Sequence, residues 1–158
     1  MQKNIVNFIP PVTSFWGTPD IIKAKYLPIS YFDVAPFPRN GYDAFRDSWS
    51  KTLPNYCNCP YQDLYRMKGS QDSWSKLIDR KAKQGYKIVL LMPARFEAAY
   101  FNKYIMSNAR EIAMVPFRIP FKDLKNLSKK KGTAPFACVV IYINMNSGLK
   151  KSKTILVA

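Results

Sequence analysis

Apolar positions change period several times along the chain, and each change marks an element. Residues 1–14 end their apolar positions at Pro10-Pro11 and read as an irregular arm. Thr18-Pro19-Asp20 then has the signature of a helix start: a Thr N-cap, Pro at the first helical position and an acid in the first turn. The predicted helix runs through Ile21, Ile22, Ala24 and Leu27 and stops at Pro28. Residues 29–34 (Ile-Ser-Tyr-Phe-Asp-Val) form a short aromatic and apolar run that predicts a strand. Pro36 and Pro38 end it, because proline donates nothing to a sheet ladder. Residues 39–54 are mixed, with one helical turn at most. Tyr56-Cys57-Asn58-Cys59 predicts a second strand, closed by Pro60.

The remaining pattern is stronger. Between Gln71 and Gln84, Trp74, Leu77, Ile78 and Ala82 share one helical face, and Gly85 ends it. Lys87–Met92 reads as a buried strand, Phe96–Ile105 as a helix with Phe96, Tyr100 and Tyr104 on one side, and Glu111–Val115 as a strand. Residues 122–133 form a lysine-rich loop. Phe136–Asn144 is the last strong strand, and Thr154–Val157 predicts a short edge strand. Strands alternating with helices imply an α/β sheet with crossovers. With no repeat and no linker, residues 1–158 read as one domain.

Composition then narrows the chemistry. The chain carries 25 Lys plus Arg against 10 Asp plus Glu, a net charge of +15. A field of that sign favours a polyanionic partner. There is no histidine, which excludes histidine relays, H-E-x-x-H zinc sites and histidine acid–base catalysis. The three cysteines, Cys57, Cys59 and Cys138, have neither zinc-knuckle spacing nor an even count, so no metal site and a reducing, cytoplasmic setting are expected. The longest apolar run, 137–143, is too short to span a membrane.

Two strand ends carry unusual residues. In open α/β sheets, ligands bind outside the carboxyl ends of the strands. Asp33 stands at the first such end, where it accepts hydrogen bonds from a ligand or caps its own turn. Asn58-Cys59-Pro60-Tyr61 stands at the second and is close to the Asn/Asp-Pro-Pro-Tyr/Phe tetrapeptide of amino-group methyltransferases. An exocyclic amine is a poor nucleophile because its lone pair is delocalised. The Asn58 side-chain oxygen and the Cys59 backbone carbonyl can each accept one of its N–H bonds and localise that pair, and Tyr61 can stack on an extruded base. An ordinary turn is the alternative reading of these four residues.

Further fragments follow in order. Trp16-Gly17-Thr18-Pro19 resembles W-x-T-P; Phe32-Asp33-Val34-Ala35 resembles L-D-V-C/A; Asp43-Ala44-Phe45 with Trp49 resembles D-A-L-x-x-x-W. Leu91-Met92-Pro93-Ala94-Arg95, followed by Glu97 and Tyr100-Phe101, resembles L-L-P-A-R with its acid and aromatic pair. Phe117-Arg118-Ile119 with Phe121 resembles G-R-L-x-F, and Ala134-Pro135-Phe136 precedes the last strand. From about Trp16 to Tyr142 the chain thus resembles the small phage-type DNA adenine-N6 methyltransferases, the phage Dam family.

That resemblance implies a Rossmann-like methyltransferase fold, a single mostly parallel sheet flanked by helices, binding S-adenosylmethionine without a metal. It implies transfer of a methyl group to the N6 of adenine in DNA by a phage or viral protein in the host cytoplasm. Trp16, Thr18, Pro19, Asp33, Ala35 and Asp43 are then the cofactor residues, and Asn58, Cys59, Pro60 and Tyr61 the catalytic ones. The chain departs from the family at Cys59, where the first proline of the motif is lost, at Phe117, and in having no glycine after the first strand. Two alternatives follow: a methyltransferase-fold protein that binds nucleic acid or serves assembly without transfer, and an RNA adenine methyltransferase. Arg95, Arg118, Lys122, Lys125, Lys129, Lys130 and Lys131 are the candidate DNA contacts, with solvated lysines and ion-paired arginines as the alternative. Most aromatic residues, Phe32, Trp74, Tyr86, Phe101, Phe136 and Tyr142 among them, are expected in the core; Trp16, Phe37 and Tyr61 are not.

Overall fold

A computed structural model describes residues 16–67, 72–124, 133–149 and 154–156. The predicted arm (1–14) and Lys125, Lys129, Lys130 and Lys131 of the basic loop lie outside the described residues. The order is β1 (Trp16–Gly17), α1 (Asp20–Tyr26), β2 (Phe32–Asp33), β3 (Asn55–Cys57), a 3-10 turn (Tyr61–Leu64) and α2 (Trp74–Lys83). Then come β4 (Ile88–Pro93), a π-helical turn (Phe101–Ile105), a 3-10 turn (Met106–Asn108), β5 (Ala109–Met114), β6 (Lys122–Asp123), β7 (Cys138–Ile143) and β8 (Thr154–Leu156).

Six strands form one open sheet in the order β2-β3-β4-β7-β5-β8, and β1 pairs with β6 in a separate antiparallel ribbon. β2, β3 and β4 are parallel to one another. β7 runs antiparallel to both β4 and β5, and β8 antiparallel to β5. The protein is therefore a mixed α/β protein, and the expectation of a mostly parallel sheet is corrected. β2, β3, β4 and β5 point one way, yet a reversed strand in mid-sheet makes both of its ladders antiparallel, and a reversed edge strand adds a third.

The centre of the sheet explains itself. All six residues of β4 and all six of β7 are buried, because each strand has a neighbour on both sides and cover on both faces. Such a strand is an unbroken apolar run (Ile-Val-Leu-Leu-Met; Val-Val-Ile-Tyr-Ile) rather than an alternation. Each fully buried aliphatic side chain stabilises the fold by about 1.5–3 kcal/mol. Tyr142, fully buried in β7, donates its hydroxyl to the Tyr26 carbonyl at 2.7 Å and so fastens the end of α1 to the sheet.

α2 is capped by the Ser73 hydroxyl, which accepts from the Lys76 N–H, and it stops at Gly85, whose φ of +87° suits glycine. Its Trp74, Leu77, Ile78 and Ala82 are buried, as their spacing requires. The helix start at Thr18 is different from expectation. Pro19, with φ −61° and ψ 150°, is the N-cap of α1, and its carbonyl accepts from Ile22 and Lys23. The Thr18 hydroxyl is engaged elsewhere, across the chain on Tyr56 and Asn58. Two strands are also shorter than predicted: β2 keeps Phe32–Asp33, and β3 ends at Cys57. The expected helix over Phe96–Ile105 contracts to its second half and winds as a π turn. At the head of the basic loop, Lys122 and Asp123 form strand β6.

Candidate functional site

β2 and β3 lie side by side and parallel, with Asp33 opposite Tyr56 and the Val34 N–H on the Tyr56 carbonyl at 3.0 Å. The chain therefore leaves both strands at the same edge of the sheet. Proline makes each departure abrupt, at Pro36 and Pro38 after β2 and at Pro60 after β3. Between the two exits lies a cavity of about 550 Å³, within the range of small-molecule sites. Ala35, Phe37 and Asp43 form part of its wall from the β2 side, and Asn58, Pro60 and Asp63 from the β3 side.

Several expected site residues meet here. Asn58, Pro60, Ala35 and Asp43 line the cavity directly. Thr18 does not, but its hydroxyl takes the Asn58 side-chain N–H at 3.2 Å and shares a hydrogen bond with the Tyr56 hydroxyl. Thr18 and Tyr56 are both buried, at 5% and 3% exposure, so this chain of hydroxyls is shielded from water. Burial pushes the Tyr56 phenol well above its usual range, and it stays protonated. Pro19 is buried at the head of α1. Trp16 pairs through its backbone with Asp123; its side chain lies outside what the structure describes.

Asp33 points into its own turn. Its Oδ1 accepts the Ala35 N–H at 2.9 Å, the Asx geometry that shapes the loop along the cavity. Burial pushes its carboxyl upward, opposed by the Ala35 N–H and the charge of Lys23. Asp43 works similarly: its Oδ1 accepts from the Phe45 N–H at 3.0 Å, while its own N–H donates to Asp47 at 2.6 Å. These carboxylates order the segment that forms the wall.

Tyr61 is placed otherwise than expected. It opens the 3-10 turn after Pro60, is 2% exposed and packs edge-on against Phe136 and Phe121, with centroids at 5.7 and 6.1 Å. Burial raises the Cys138 thiol to about 12, with the Tyr61 hydroxyl opposing the rise. A ring covered on this scale presents no face to a base. Cys59 is likewise buried, at 1%, and burial together with the Cys57 thiol keeps its own thiol neutral. A neutral buried thiol is no nucleophile.

The described basic candidates differ in what engages them. Arg95 is held by Glu97 at 2.6 Å, Lys122 reaches Asp20 at 3.1 Å, and Arg118 is exposed. Sequence reasoning missed Tyr42, Phe45, Trp74 and Asp63 in the cavity wall, and Tyr56 behind it. The aromatic run around Pro36-Phe37-Pro38 was a usable signal for the wall; nothing local marked Tyr56, whose role depends on a partner thirty-eight residues away.

Among the described residues no three His, Cys, Asp or Glu side chains stand together as a metal set, and no helix is long and apolar enough to cross a membrane. Comparison with protein-family models, curated proteins and solved structures finds no match for this chain.

Proposed function

We propose that the chain is an S-adenosylmethionine-dependent methyltransferase of Rossmann-like fold acting on the N6 of adenine in DNA. The observation that carries this reading is the position of Asn58. It lies at the carboxyl end of β3, on a cavity shared with the end of β2, with its amide held from behind by Thr18. Open α/β sheets hold their ligands at this end of the strands, and an asparagine amide there can accept from an exocyclic amine.

The walls suit the cofactor. S-adenosylmethionine carries a sulfonium, an ammonium and a carboxylate. Asp43 and Asp63 supply negative charge, Tyr42, Phe45 and Trp74 supply aromatic surface, and Arg39 supplies a cation. Bound there, it supplies an electrophilic methyl carbon, so the protein needs neither histidine nor a thiolate. Asn58 accepts one N–H of the adenine amine through its side-chain oxygen, and the Cys59 backbone carbonyl accepts the other. Pro60 turns the chain away immediately afterwards. Since the second acceptor is backbone, the role does not depend on the side chain at position 59. Phe37, 39% exposed on the cavity wall, takes the base-facing place that Tyr61 leaves. The charge of +15 holds the phosphate backbone.

The test is tritiated methyl transfer to unmethylated DNA with nucleoside analysis of the product. N6-methyladenine is the expected product, and Asn58→Ala abolishes it while the protein stays folded. Isothermal titration in which well-folded protein binds no S-adenosylmethionine would overturn the reading. The burial of Tyr61 and the loss of the first motif proline favour a second reading: a nucleic-acid-binding protein that does not transfer methyl groups. Salt-sensitive DNA binding without any transfer selects it. Transfer to RNA but not to DNA marks the RNA enzyme.

A further inference from the structure

We propose that the edge of the sheet where β2, β3, β4 and β5 end is a docking face for DNA with unstacked bases, on which Arg66, Arg95 and Arg118 hold phosphates and Phe96 and Phe117 meet bases. The proposal rests on the reading above in taking DNA as the partner, and extends it from the cavity to the surface beside it.

The topology builds this edge. β2, β3, β4 and β5 point one way, so the segments that follow them leave the sheet on one side. After β3 the chain carries Arg66-Met67, after β4 Arg95-Phe96, and after β5 Phe117-Arg118. Contacts keep these segments together. The Tyr65 and Tyr100 rings meet at 5.6 Å, which joins the segment after β3 to the one after β4. The Ala94 N–H donates to the Ala137 carbonyl at 2.9 Å and the Val115 N–H to the Cys138 carbonyl at 3.2 Å. The ends of β4 and β5 are therefore both tied to the head of β7.

Each segment sets an arginine beside a large apolar side chain that stands in water: Met67 at 58% exposure, Phe96 at 38% and Phe117 at 39%. Among the described residues the exposed phenylalanines are these two and Phe37 on the cavity wall, all at this edge. At the opposite edge, before β2 and β3, the exposed apolar side chains are the aliphatic Ile29 and Leu53. A ring offers a face to any base, and a guanidinium offers paired N–H donors to a phosphate. Arg66 lies over the Tyr65 ring, 5.3 Å from its centroid. Among the described residues neither Arg66 nor Arg118 has a carboxylate partner. Arg95 holds Glu97 at 2.6 Å, a surface pair of small worth that a phosphate can replace.

The charge of +15 favours a polyanion over another protein as the occupant. From β2 to β5 the edge spans four strand spacings, about 19 Å, the rise of about six stacked bases. One strand of DNA is long enough to reach the edge and the cavity together. Rings at separate points along it need bases out of their stack, and a single strand supplies these without unpairing.

The experiment is fluorescence anisotropy of the full chain with a labelled single strand of DNA and with the same sequence as duplex, over a range of salt, beside the methyl-transfer assay. The strand should bind at least as tightly as the duplex. Phe96→Ala and Phe117→Ala should each weaken strand binding roughly tenfold with the salt slope unchanged, while Phe96→Tyr, which keeps a ring, stays near wild type. Arg66→Ala and Arg118→Ala should each lower the magnitude of the log–log salt slope by about 0.7. Arg110→Ala removes an exposed cation near the start of β5, at the opposite edge, and should leave the slope unchanged. Circular dichroism checks that each variant is folded; should alanine unfold either phenylalanine variant, leucine, which loses the ring and keeps most of the volume, takes its place. Folded Phe96 and Phe117 variants with wild-type affinity overturn the proposal. So does an Arg66→Ala slope equal to that of Arg110→Ala, or a duplex bound more tightly than the strand. A wild type that binds DNA through these residues yet transfers no methyl group upholds the proposal and fails the proposed function. One that methylates DNA while the variants bind like wild type does the reverse, and one that binds no DNA fails both.

Discussion

Replacing Tyr61 by alanine separates two roles that the residue's neighbours and its motif assign differently. In the structure the ring is 2% exposed and wedged edge-on between Phe121 and Phe136. Truncating an aromatic side chain in a packed core costs about 3–5 kcal/mol, from lost burial and the cavity left behind. Each edge-to-face contact contributes on the order of 0.5–1.5 kcal/mol beyond area, within that figure. Against a total stability of about 5–15 kcal/mol, the loss is a large fraction. At about 2–4 °C per kcal/mol for a domain of this size, the midpoint falls by roughly 6–20 °C. Tyr61→Phe keeps the ring and loses only the hydroxyl, so it should cost about 1 kcal/mol or less. Thermal denaturation by circular dichroism, with urea midpoints at constant m, measures both. A Tyr61→Ala protein as stable as wild type, deficient only in binding DNA, would refute the burial argument and restore the stacking role.

Other outcomes follow from single contacts. Asn55 is fully buried; its oxygen takes the Ser50 N–H at 2.9 Å and its nitrogen serves the Ser50 and Lys87 carbonyls at 2.9 and 3.1 Å. Asn55→Asp turns donors into a charged acceptor facing those carbonyls and should cost more than Asn55→Ala, whose loss is about 2–4 kcal/mol by urea denaturation. Burial pushes the Asp79 carboxyl up, but its bonds to Lys83 and Asn108, both 2.8 Å, outweigh this and hold it below its usual value. A depressed folded value contributes stability above the unfolded value of 3.8 that is lost as pH falls through the folded one. Asp79→Asn should therefore flatten the acid limb of stability below about pH 4. DNA affinity should fall linearly on a log–log salt plot, and Arg118→Ala should reduce the slope by about one if that exposed guanidinium meets a phosphate.

Much of the fold was legible because local rules act without a partner. The apolar face of α2 and the runs of β4 and β7 are properties of consecutive residues, and each element appears within a few positions of its expected bounds. Prolines 36, 38 and 60 end chains wherever they stand, which is why both exits to the cavity were visible in advance. Thr18 shows the opposite case. A Thr-Pro-Asp start is a sound capping signal, yet the hydroxyl has a better-placed partner in Tyr56 and the cap passes to Pro19. Tyr61 failed for the same kind of reason: the rings that cover it, Phe136 and Phe121, stand far along the chain.

The sequence by itself determined an α/β protein of strongly positive charge, with no histidine chemistry and with Asn58 near the end of a strand. Only the tertiary structure decided that β7 runs backwards through the sheet, that Thr18 and Tyr56 stand behind Asn58, and that Tyr61 belongs to the core. Periodicity and turn chemistry are written in neighbouring residues. Strand direction, the partner of a buried hydroxyl and the side a ring falls on are set by residues distant in sequence that compete for the same space.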